Sequence, residues 1–126
     1  MSFALVTDPT AATTPRSARR ACARQLAKWN LEHLTDDVEL IAAELVTNAV
    51  RHGGGVQEIS MRLHEGYLRI AVTDFSPTLP AAKQALPADT SGRGIAIVAQ
   101  LASQWGVELH RSGKTVWADI PTSVTG

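Results

Sequence analysis

A chain of 126 residues and 13.5 kDa is long enough for one domain, and its 12 Lys+Arg are balanced by 12 Asp+Glu. A hydrophobic fraction of 44% with 19% charged residues excludes general disorder, and a sequence pI near 6.9 argues against a nucleic-acid binder, which needs a basic face to displace counterions. The single cysteine, Cys22, excludes an internal disulfide framework and a multi-cysteine metal cluster. Its alanine-rich surroundings make it a small buried apolar residue. Residues 1–8 lack the basic and apolar stretches of a signal peptide, and no window approaches the roughly 20 apolar residues of a membrane span. The expectation is a soluble cytoplasmic protein without membrane or nucleic-acid contacts.

The chain contains no internal repeat and no long linker. Residues 3–7 are short, apolar and β-prone, as in an edge strand. A polar connector follows, and Thr14-Pro15 starts a helix with a hydroxyl at the N-cap and proline at the first helical position. That helix runs to about Trp29, with Ala18, Cys22, Leu26 and Trp29 as its apolar stripe. Asp36 and Glu39 have the spacing of a capping box for a second helix, which runs to His52 and stops at Gly53-Gly54-Gly55. Val38, Ile41, Leu45 and Ala49 form its apolar face.

Ile59, Met61 and Leu63 then alternate with polar residues, Glu65-Gly66 turns the chain, and Leu68, Ile70 and Val72 alternate again: an antiparallel hairpin with one buried face. Residues 75–94 read as a loop with Pro77, Pro80 and Pro87. It is too long for a plain connector, which favours a lid or binding loop. Its stretch 78–90 has Lys83 as the only basic residue. A third helix is predicted from Gly94 to Gln104, with Ile95, Val98, Leu101 or Ala102, and Trp105 on one side. Residues 107–110, a turn at 111–114, and residues 115–120 make a last hairpin. The order β-α-α-β-β-loop-α-β-β segregates helices from a largely antiparallel sheet. That is an α+β two-layer sandwich in a single domain.

Four places can carry chemistry. Glu44, Asn48 and His52 stack at i, i+4 and i+8 on the second helix, about 40° apart per step. Asn is a poor helix-interior residue. A carboxamide oxygen suits a hard cation such as Mg²⁺, and a carboxylate one turn away can accept a proton. On spacing alone a solvated polar face is favoured, with Glu44 paired to Arg51 or Lys28 and Asn48 exposed. Asp74 ends a buried-looking strand, where it either binds a ligand amine or starts a turn. Ser91-Gly92-Arg93-Gly94 leads into a helix, where backbone N–H groups and the helix dipole attract an anion, unless the glycines are only a hinge. Gly113-Lys114-Thr115 mimics the end of a P-loop, but Glu108 stands where the first glycine is required and a strand follows, so it reads as a hairpin turn. His33, His64 and His110 have no metal-ligand spacing to one another.

In this order the motifs resemble a known family. ELVTNAVRHGG (44–54) looks like the N-box of GHKL-type ATPases, more narrowly of stand-alone bacterial histidine-kinase-like domains of the anti-sigma-factor serine kinase type. VTDFSP (72–77) is similar to their G1 box, SGRGIAIVAQLASQWGV (91–107) to their G2 box and following helix, and GKTVWADIP (113–121) to their closing hairpin. Many GHKL members carry D-x-G-x-G in the G1 box. Here the run is Asp74-Phe75-Ser76-Pro77, with no glycine, as in small stand-alone members.

The resemblance implies a Bergerat-type sandwich with ATP and Mg²⁺ between the helices and the long loop. By position, Asn48 would coordinate Mg²⁺ and Glu44 would be the general base. Asp74 would bond the adenine amine with Thr115 supporting it. Ser91, Gly92, Arg93 and Gly94 would hold phosphates, and Arg51 and His52 would lie at the pocket end of the same helix. It further implies a protein serine kinase that phosphorylates an antagonist protein and sequesters a sigma factor, and it suggests a homodimer. The competing expectation is a non-catalytic partner-binding module with weak or no nucleotide binding, which Ser76 and Pro77 favour.

Overall fold

The computed structural model describes residues 2–7, 12–77 and 90–123. Its elements are β1 (Ser2–Leu5), α1 (Pro15–Lys28), α2 (Thr35–His52), β2 (Val56–His64), β3 (Tyr67–Asp74), α3 (Thr90–Leu101), β4 (Gln104–His110) and β5 (Gly113–Pro121). The five strands form one antiparallel sheet in the order β1-β2-β3-β5-β4. The three helices cover one face of it, so the architecture is the expected α+β sandwich. No described helix is long and apolar enough to cross a membrane.

Helix α1 starts as its sequence demands. Thr14 Oγ1 accepts the Ser17 N–H at 3.0 Å, Ser17 Oγ accepts the Thr14 N–H at 2.9 Å, and Pro15 fills the first helical position. Ala18, Cys22 and Leu26 are buried as the stripe required. Burial, and secondarily the nearby Glu39 charge, push the Cys22 thiol pKa up to about 12.

Helix α2 starts differently from its expectation. A 3₁₀ turn, Glu32–Leu34, runs straight into Thr35, and Leu34 at the N-cap makes no side-chain hydrogen bond. The Asp36–Glu39 capping box is therefore not formed. The turn fixes the entry of the chain in its place, and Asp36 and Asp37 still complement the dipole from inside the first turn. Val38, Ile41, Leu45 and Ala49 are buried, joined by Ala42 and Val46, because α2 is the central helix, touched by α1, α3 and the sheet.

The inner face of the sheet carries Ile59 and Met61 from β2, Leu68, Ile70 and Val72 from β3, and Val116, Ala118 and Ile120 from β5, all buried. The turn at Glu65-Gly66 forms as expected, with Gly66 at φ +87. Among the described residues strand β1 is an edge strand, paired only with β2.

The third helix is displaced from its predicted span. It starts at Thr90 rather than Gly94 and ends at Leu101 rather than Gln104. Gln104 and Trp105 instead pair with Asp119 and Ala118. The long strand β5 offers a ladder that outweighs helical periodicity at these two residues, and the Ser103 N–H donating to Asp119 O at 2.8 Å closes the helix–strand junction. The predicted loop lies largely outside the described residues, Lys83 included.

Candidate functional site

The site is built where the C-terminal end of α2 meets the end of β3. The last residues of α2, Arg51 and His52, are exposed, and the chain then enters Gly53-Gly54-Gly55. Gly54 and Gly55 adopt φ +73 and +111, a region that L side chains rarely enter. Gly53 is required for a different reason. A Cβ built on it would stand 2.3 Å from Asp74 Oδ2, so the helix end is pressed directly onto the carboxylate. The Phe75 N–H donates to Gly53 O at 2.8 Å and ties the two segments together.

One turn before that end, Asn48 is only 5% exposed, and its Oδ1 has no hydrogen-bond partner. This overturns the solvated-face reading that spacing alone favoured. A buried acceptor without a donor costs roughly 1–3 kcal/mol, so it marks a place where a cation or donor belongs. Glu44, one further turn back, is half-buried. The polar column therefore runs beside the core, as a site requires.

Asp74 is 1% exposed and held from several sides. Its Oδ1 accepts the Ser76 N–H at 2.9 Å, an Asx turn. Its backbone carbonyl accepts from Gln57 Nε2 at 2.9 Å, and the same amide reaches Ser112 O at 3.2 Å. Gln57 stands at a β-bulge between Val56 and Glu58, which re-aims its side chain across the strand ends. A Cβ on Gly113 would fall 1.8 Å from Asp74 O, so only glycine fits that turn.

The partner of the Asp74 carboxylate is a residue that sequence reasoning missed. Lys114 Nζ lies 2.7 Å from Asp74 Oδ2 and 3.3 Å from Ser76 O, and Lys114 is 1% exposed. It was expected in the last turn, but that turn is confined to Arg111 and Ser112, and Lys114 belongs to β5 directly opposite Asp74. The available signal was parity, because Lys114 is in phase with Val116, Ala118 and Ile120 on the inner face.

The same parity places Thr115 on the other face. Thr115 pairs with Thr73, their hydroxyls are 2.7 Å apart, and His110 Nε2 lies 2.8 Å from Thr115 Oγ1. These groups occupy the outer face of the sheet, away from the Asp74 carboxylate. The structure therefore brings Lys114, not Thr115, to Asp74.

Ser91, Gly92, Arg93 and Gly94 fall within the first residues of α3 rather than in a loop ahead of it, and their side chains lie outside the described residues. The first four N–H groups of a helix lack intrahelical acceptors, so this turn still has the donors an anion needs. Ile95 and Val98 anchor the helix in the core.

The donor set fits a magnesium–nucleotide complex. A neutral carboxamide oxygen, buried and unpartnered, suits a hard cation that keeps most of its shell as water and phosphate. A family model described as a histidine kinase-like ATPase domain matches residues 6–120, from just after β1 to the next-to-last residue of β5. No curated protein matches the chain.

Proposed function

The chain belongs to the histidine kinase-like ATPase domain family, and from that premise we propose that it is an ATP-dependent regulatory protein serine kinase of the anti-sigma-factor type. In this reading it phosphorylates a small antagonist protein and sequesters a sigma factor, as a homodimer. The observation that carries the nucleotide site is the buried, unpartnered Oδ1 of Asn48 on the helix whose end seats against Asp74. The order of the motifs around Glu44, Asp74, Gly92 and Lys114 supports the narrower assignment.

Each residue has a role set by its position. Asn48 supplies an oxygen for Mg²⁺, and Asp74 accepts a hydrogen bond from the adenine amine. The N–H groups of the first turn of α3 hold phosphate oxygens. Glu44, half-buried one turn from Asn48, accepts the proton of the attacking serine hydroxyl. Mg²⁺, when bound, neutralises charge on the triphosphate. Arg51 and His52, exposed at the same helix end, border the site.

A second reading keeps the fold and drops the transfer: a partner-binding module with weak nucleotide binding. Ser76 and Pro77 favour it, since Pro77 offers no N–H where many relatives bring backbone to the ligand. Titration calorimetry with ATP, with and without Mg²⁺, separates the two. The kinase reading expects Mg²⁺-dependent binding that Asn48→Ala weakens about tenfold or more. It also expects Glu44→Ala to abolish phosphate transfer while ATP is still bound. Binding of a partner protein without any ATP affinity selects the module instead.

A further inference from the structure

We propose that Lys114 is a base-reading residue: its ammonium donates to the ring nitrogen adjacent to the exocyclic amine of the bound base, while Asp74 accepts from that amine. The proposal rests on the nucleotide reading above and adds to it a second, charged contact with the base.

The Asp74–Lys114 pair stays together. Lys114 projects from the inner face of β5, 1% exposed, with Nζ held by Asp74 Oδ2 at 2.7 Å and by Ser76 O at 3.3 Å. The backbones on both sides are fixed, because Gly113 and Gly53 pack against Asp74 with no room for a Cβ. A base that reaches the carboxylate therefore meets the ammonium as well.

The unspent hydrogen-bonding capacity of the pair is specific. An ammonium has three donors, of which two are used on described residues. An ionised carboxylate has about four acceptor sites, and here Ser76 N–H takes one on Oδ1 and Lys114 one on Oδ2. What remains, among the described residues, is an acceptor beside a donor. A base whose amine donor adjoins an unprotonated ring nitrogen presents the complementary edge, and adenine is such a base. Stability alone gives little reason to bury the pair, since replacing a buried ion pair by apolar side chains of similar volume is often neutral or favourable.

The test compares ATP with 1-deaza-ATP, in which the ring nitrogen next to the amine becomes C–H. Affinities are measured by calorimetry on the full chain with Mg²⁺, for the wild type, Lys114→Arg and Lys114→Met. The wild type is expected to prefer ATP by about tenfold or more, the usual worth of a hydrogen bond from a charged donor. Lys114→Met should bind both nucleotides with equal affinity, and Lys114→Arg should restore part of the preference. If Lys114→Met fails to fold, Asp74→Asn/Lys114→Met removes both charges and carries the same expectation of no preference. Equal affinity of the wild type for the two nucleotides overturns the proposal while leaving the nucleotide site standing. A preference that survives in the methionine variant also overturns it, since the ring nitrogen is then read by another group. Failure of the wild type to bind either nucleotide removes the ATP site itself, and the proposal with it.

Discussion

Two ion pairs cross the same β3–β5 ladder with opposite polarity. At one end Arg69 faces Asp119, and at the other Asp74 faces Lys114. Arg69 and Asp74 are separated by an odd offset along β3, so the two pairs emerge on opposite faces of the sheet. On the outer face Arg69 forks onto Asp119, with Nε–Oδ1 at 2.7 Å and Nη2–Oδ2 at 2.9 Å, and its side chain keeps 32% of its surface in contact with solvent. Gln104 Nε2 adds a bond to Asp119 Oδ2 at 2.9 Å, and the guanidinium stacks 3.8 Å from the Trp117 ring centroid. On the inner face both partners are shut away from water, at 1% and 2% side-chain exposure. The outer pair is a satisfied fork between a partly exposed Arg69 and a buried Asp119. The inner pair incurs the full desolvation cost of two charges and retains hydrogen-bonding capacity for a ligand.

The sharpest way to break this comparison is to remove one cation from each pair. Lys114→Met leaves the Asp74 carboxylate buried and uncompensated, and should lower unfolding stability by about 3–5 kcal/mol. Arg69→Met strands a buried anion that keeps its Gln104 bond, and should cost less, about 1–3 kcal/mol. Pairing Lys114→Met with Asp74→Leu should recover most of the larger loss. Urea denaturation of the three variants and the wild type reads all three values. Equal costs at the two ends would erase the distinction drawn between them.

What was legible in the sequence follows the range of the forces involved. The start of α1 was readable because Thr14, Pro15 and Ser17 act on one another within one turn. The hairpin at Gly66 and the stripe of α2 were readable for the same reason. The start of α2 was not, because the choice between a capping box and a 3₁₀ entry depends on how residues 32–34 pack. Trp105 was misplaced in α3 because its ladder partner, Ala118, is distant in sequence. At the site, residue types were readable and directions were not. The burial of Asn48 depends on neighbours that periodicity cannot see, and one residue of strand register decides whether Lys114 or Thr115 faces Asp74.

Acidity sharpens the comparison on the outer face. Burial pushes the Asp119 carboxyl pKa up, but the hydrogen bonds from Arg69 and Gln104 and the Arg69 charge outweigh it, so the group lies below its ordinary value. A carboxyl depressed in the folded state stabilises it at every pH above the unfolded pKa of about 4, and that contribution fades as pH falls through the folded value. Urea midpoints measured from pH 6 downward should therefore drop in the wild type below about pH 4. Asp119→Asn should start lower at pH 6 and show a flatter acid limb. An unchanged acid limb in that variant would place the pH dependence elsewhere.

The smallest expected effect asks what makes the outer pair a fork rather than a pair of charges. Arg69→Lys keeps the positive charge opposite Asp119 but offers a single ammonium where the guanidinium made two parallel bonds, and it gives up the planar stacking on Trp117. Trp117 is itself held flat by Gly106, whose Cβ would come within 2.6 Å of the ring, so the indole cannot follow a shorter cationic head. The loss should be about 0.5–1 kcal/mol in urea denaturation, since exposed cation–π contacts and partly solvated ion pairs each contribute on that scale. Combining Arg69→Lys with Trp117→Leu should cost less than the sum of the two single changes, because the stacking can be lost only once. Strict additivity would show that Arg69 and Trp117 act independently, and the outer face would then hold a plain ion pair beside an unrelated aromatic.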